Sequence, residues 1–142
     1  MKKLLILVLL CASTIASAYT WTLKVEEAFK NAHKNRSAKY AIHLKGIAGR
    51  KIKSVVIQID GSGDIVPLLE GVKGLDSSNV DVQVGGHIIK LTGGAWSIAR
   101  VGIEAFDGPF AGQTADSSKF GGTGNQQFSI NVKGDKLKVT RQ

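Results

Sequence analysis

The residues with the most chemical promise stand close together in "VVIQIDGSGDIVPLLEG", positions 55–71. Asp60, Ser62 and Asp64 offer oxygen at alternate positions and Glu70 follows, which is how a calcium loop begins. An EF-hand loop counted from Asp60 needs glycine sixth and a bidentate acid twelfth, and Ile65 and Gly71 stand there. Pro67 interrupts the helix that should follow. Asp60-Gly61 after a β-branched run is a turn signal, so a metal-free turn is predicted and no cofactor is expected. The alternative is a calcium site between loops, built from Asp60, Asp64 and Asp107, and it requires a fold that joins those loops.

Other catalytic patterns are missing. His33, His43 and His87 lack the spacing of metal ligands, and no Gly-x-Ser-x-Gly elbow presents a nucleophile. Glu26, Glu27, Glu70 and Glu104 suit a glycosidase by type alone. Gly121-Gly122-Thr123-Gly124 lacks the lysine and helix of a phosphate loop. Enzyme chemistry is therefore not indicated.

Binding has better support. Trp96 lies in "TGGAWSIAR", straight after a Gly-Gly turn, and Phe110, Gln113 and Phe120 lie in the glycine-rich stretch 107–126. Aromatic rings on a rim stack on sugars while an amide bonds their hydroxyls. Trp96 and Trp21 also suit a core cap and a staple for the N-terminal arm. Lys39, Lys45, Arg50, Lys51 and Lys53 belong to a run of nine basic residues between positions 24 and 53, against only Glu26 and Glu27. Such a run attracts an anionic polymer or surface. Nucleic acid is not the expected partner: Tyr40, the aromatic nearest those lysines, alternates like a core residue.

Strands must position these residues. Tyr40, Ile42 and Leu44 alternate with Ala41, His43 and Lys45, and "KIKSVVIQID" is β-branched almost throughout. "NVDVQV" turns at Gly85-Gly86 into "HIIKLT", "SIARVGIEAF" alternates, and "QFSINV" turns at Gly134-Asp135 into "KLKVT". Val25, Ala28, Phe29 and Ala32 form a helical stripe within residues 24–34, which leaves His33 on the polar side. The prediction is mainly all-β: an antiparallel β-sandwich of about seven to eight strands with one short N-terminal amphipathic helix.

The chain opens "MKKLLILVLLCASTIASAYT": two lysines, an apolar run, then Ala16-Ser17-Ala18. That is the pattern of a secretory signal peptide cleaved after Ala18, and the apolar run is too short for stable membrane insertion. Leu10 before Cys11 is bulkier than a lipoprotein processing site accepts. Cleavage leaves residues 19–142 as one cysteine-free domain, held by packing alone, with its positive charge largely kept. Asn35-Arg36-Ser37 is a glycosylation sequon if the source is eukaryotic. The expected protein is a secreted, non-catalytic binding module for a polysaccharide or an anionic extracellular surface. The alternative is a self-associating matrix or adhesive protein, with "VVIQI" as the contact strand.

Overall fold

The computed structural model describes residues 19–67, 73–74, 80–93, 98–120 and 125–142. The proposed signal peptide, Glu70 and Trp96 lie outside them. The described chain is mainly β. Its strands are β1 (Tyr19–Val25), β2 (Ala38–Lys45), β3 (Lys51–Ile59), β4 (Ile65–Pro67), β5 (Lys73–Gly74), β6 (Val80–Gly85), β7 (Ile88–Gly93), β8 (Arg100–Ala105), β9 (Thr114–Asp116), β10 (Asn125–Lys133) and β11 (Lys136–Arg141). A short helix α1 (Glu27–Ala32) and a 3-10 turn (Gly108–Phe110) complete it.

The first sheet, sheet A, runs β11-β10-β1-β7-β6, and sheet B runs β4-β3-β2-β8-β9 with β5 also paired to β3. The two runs hold ten strands against the seven to eight expected; β1, β4 and β9 are the additions. The pairing is not purely antiparallel, because β1 and β10 are parallel, from Thr20 beside Asn125 to Val25 beside Ile130. The helix is also not N-terminal. Trp21, Leu23 and Val25 alternate inward and commit residues 19–25 to a strand, so the helix starts only at Glu27.

One core joins the sheets. Trp21, Leu23, Ile89, Leu91, Phe128 and Ile130 enter it from sheet A. Tyr40, Ile42, Leu44, Val55, Ile57 and Ile103 enter from sheet B. The helix docks through Phe29, whose ring lies 5.5 Å from Tyr40 and 6.2 Å from Phe110. His33 corrects the sequence reading. It is fully buried rather than on a polar face, because i+4 from Phe29 carries it onto the same side of the turn. Its Nδ1–H donates to the Phe29 carbonyl at 2.7 Å, which leaves Nε2 to accept the Tyr40 hydroxyl.

The long segment after Asp107 is ordered by particular contacts. Asp107 Oδ1 accepts the Lys39 N–H at 2.6 Å, and Gly108 turns with φ of 77° against Ala38, where a Cβ would collide. Gln113 then ties sheet B's end to the β10–β11 hairpin: Nε2 donates to the Asp135 carbonyl at 2.8 Å and Oε1 accepts the Leu137 N–H at 2.9 Å. At the opposite edge the Ile65 N–H donates to the Gly86 carbonyl. Both pairs of sheet edges are thus bridged, and β3 is an interior strand between β2 and β4.

Candidate functional site

Sheet A turns one face to the core and the other outward, and the outward face is built almost wholly of polar side chains. Burial of Trp21, Leu23 and Val25 places Thr20, Thr22 and Lys24 outside on β1. The same alternation sends Lys90 and Thr92 out of β7, Asp81 and Gln83 out of β6, and Lys136, Lys138 and Thr140 out of β11. Register aligns them in rows across the strands. Thr22 lies beside Lys90 on one side and Gln127 on the other, and Gln83 lies beside Lys90. Gln142 extends the row, its N–H bonding the Gln127 carbonyl at 2.7 Å. A second row is Asp81, Thr92, Thr20 and Asn125.

These groups are open to a ligand. Among the described residues, no side-chain hydrogen bond or ion pair occupies Thr22, Lys24, Gln83, Lys90 or Gln127. Three cavities border the face. One of 220 Å³ is lined by Thr22, Lys24, Gln127 and Ser129, among others. One of 260 Å³ is lined by Lys24, Glu26, Glu27, Lys30 and His87. A third of 330 Å³ lies along Gln83, Ile88 and Lys90. Ser129 is the committed member, donating to Glu26 Oε2 at 2.7 Å and accepting from Gln142 Nε2 at 2.6 Å.

The outward face of sheet B holds a different constellation. Glu104 Oε1 accepts from His43 Nε2 at 2.9 Å, and the bare Nδ1 accepts the Ser54 hydroxyl at 2.6 Å. This is the order of acid, base and nucleophile in a hydrolase. Burial holds the His43 imidazole below its ordinary value; the Lys51 and Lys45 charges act the same way, and Glu104 opposes them. Among the described residues, two parts of a hydrolase site are not seen. Ser54 sits within the ladders to His43 and Lys73, so the strand's N–H groups make sheet bonds rather than an oxyanion hole. None of the three cavities borders it. The relay ties β2, β3 and β8 together.

Among the described residues, those singled out from sequence do not converge. Phe110 and Phe120 are corrections: they are 5% and 4% exposed, so neither ring is offered to a sugar. Phe110 stacks on Phe29, and Phe120 packs on Phe128 at 5.4 Å under the Arg141 guanidinium. Gln113 clamps a hairpin. Lys45 is paired with Asp116 at 2.8 Å, Lys51 lies 3.9 Å from Glu104, and Lys53 is half-buried and engaged. Arg50 is exposed beside the hairpin tip, where Ile47 is also exposed, and Lys39 is exposed at the other end of β2.

Asp60 and Asp64 stand together in the β3–β4 turn, but Asp60 Oδ1 already accepts the Ser62 N–H, the Ser62 hydroxyl and the Asp64 N–H. Those bonds hold its carboxyl below the usual carboxylate range. Asp107 bonds Lys39 instead, and among the described residues no three His, Cys, Asp or Glu side chains are grouped to hold a metal ion.

The outward face of sheet A was missed because no single segment of sequence contains it. Its signal was there in fragments, since each strand alternates cleanly. The unpredicted parallel pairing of β1 with β10 brings Thr22 beside Gln127. Comparison with known protein families, curated proteins and solved structures gave no match. The geometry alone carries the reading.

Proposed function

We propose that this protein is an exported, non-catalytic binding module of sandwich-like architecture that holds a polysaccharide on the outward face of sheet A. The observation that carries the reading is the row Gln83, Lys90, Thr22, Gln127 and Gln142, which crosses all of sheet A with most of its side chains uncommitted. Neighbouring strands are about 4.8 Å apart. That step is close to one pyranose unit of an extended glycan, so a chain laid across the strands meets a hydroxyl, amide or ammonium group at each sugar. Amides and hydroxyls both donate and accept, as sugar hydroxyls do. The amino-terminal pattern ending at Ala18 supports the export part of the reading.

Self-association through exposed strand edges has less support, since both edge pairs are bridged and β3 is interior. The test is retention of the purified protein on insoluble chitin, cellulose and a cross-linked polyuronate, with a protein-alone control. The double variant Thr22→Ala/Gln127→Ala is expected to bind about thirtyfold more weakly, each of the two lost hydrogen bonds contributing roughly 1 kcal/mol. Unchanged retention by that variant would move the site off this face. Pelleting without any polysaccharide would replace binding by self-assembly.

A further inference from the structure

We infer that the ligand of sheet A is an anionic polysaccharide, bearing carboxylate or sulfate groups, held along a diagonal of lysines. The inference rests on the proposed use of this face for a glycan. Lys90 and Lys24 are diagonal neighbours on β7 and β1, because Lys90 pairs with Thr22 and Lys24 with Ile88. Such positions are about 7–8 Å apart. The line continues across β10 to Lys138, which lies beside Asn131, and ends at Lys133 and Lys136.

Lys133 and Lys136 are directly opposite each other, and like charges so placed oppose folding. Among the described residues no acid pairs with either, nor with Lys24, Lys90 or Lys138. Acids also stand near the line, Glu26 and Glu27 beside Lys24 and Asp135 in the turn between Lys133 and Lys136, but none forms an ion pair with these lysines. Asp81 is in the row at the far corner, and Glu26 Oε2 accepts the Ser129 hydroxyl. Lysine enters all three cavities, Lys24 lining two of them together with Glu26 and Lys90 lining the third, where no acid stands. A polyanion of repeating acidic sugars relieves the repulsion along the diagonal, while Gln83, Thr22 and Gln127 bond its hydroxyls.

The experiment compares binding to heparin, a polyuronate, a neutral glucan and double-stranded DNA, at low and high salt. The variants are Lys24→Glu/Lys90→Glu on the face and Arg50→Glu/Lys51→Glu on the hairpin, each checked for an unchanged circular dichroism spectrum and melting transition. The expected result is binding to heparin and polyuronate that weakens with salt. The face variant should lose at least tenfold and much of the salt dependence, and the hairpin variant should behave as wild type. Loss on the hairpin variant alone, or equal binding to DNA, would overturn the inference. Retention on the neutral glucan alone, lost in Thr22→Ala/Gln127→Ala and kept in Lys24→Glu/Lys90→Glu, would overturn it too while leaving the glycan-binding reading standing. Failure of every glycan to bind the folded protein would end both.

Discussion

Trp21→Ala is expected to destabilise the protein by about 3–5 kcal/mol, the range for removing a large buried aromatic side chain. The indole is 1% exposed and sits on β1, the strand that pairs with β10 on one side and β7 on the other. Removing it empties the core under the middle of sheet A, so the cost combines lost transfer energy with a cavity that neighbouring rings fill only in part. Stabilities of small proteins are about 5–15 kcal/mol, so this change uses up a large share. Urea unfolding should show a lower midpoint with an unchanged slope. A loss below about 1 kcal/mol would mean that Trp21 is a surface staple on a loose arm and that β1 does not centre the sheet.

The second large effect concerns His33 and Tyr40. The Tyr40 hydroxyl donates to His33 Nε2 while His33 Nδ1–H donates to Phe29, all in the interior. Tyr40→Phe leaves that nitrogen without a donor, at an expected cost of about 1–3 kcal/mol. Losses from Tyr40→Phe and His33→Phe should not add in the double variant, because once one partner is gone the other has little left to lose. Additive losses would show that the two groups do not act as a pair.

The same histidine sets an acid limit. Burial holds His33 below its ordinary value, Arg36 pushing the same way, and burial likewise lowers His43. The unfolded chain therefore takes up protons first as pH falls, so stability is complete above about pH 6.5 and drains away below it. His33→Gln and His43→Gln should each flatten that slope in urea unfolding followed from neutral to mildly acid pH. A slope unaffected by both changes would remove the two imidazoles from the explanation.

Much of the fold is legible residue by residue. Alternation in "KYAIHLK" placed Tyr40, Ile42 and Leu44 inward, and Gly134-Asp135 marks the turn between β10 and β11. Competition between two periods hid β1. Val25 belongs both to the inward set Trp21, Leu23 and Val25 and to the helical stripe with Phe29. Tertiary pairing with β7 and β10 decided in favour of the strand. His33 was legible in principle, standing four residues after Phe29, but a polar type on a short helix argues against burial until Tyr40 supplies its partner.

The candidate site was less legible than the fold. Phe110 and Phe120 looked available because glycine-rich loops are usually exposed, yet Phe29 and Phe128 had to be known before their burial followed. The lysine diagonal depends on the order β11-β10-β1-β7, which joins residues more than a hundred positions apart. The Ser54–His43–Glu104 relay needs the β2–β3 and β2–β8 registers together. No local pattern encodes either arrangement.

The central claim is that ligand is held on the outward face of sheet A, and backbone amide shifts on adding a short soluble polyuronate test it most directly. The account predicts perturbations in Thr20–Lys24, Gln83, Lys90–Thr92, Asn125–Lys133 and Lys136–Lys138, with little change elsewhere. Perturbations centred on the hairpin from Gly46 to Lys53, or on Ser54 and Glu104 across sheet B, would contradict it.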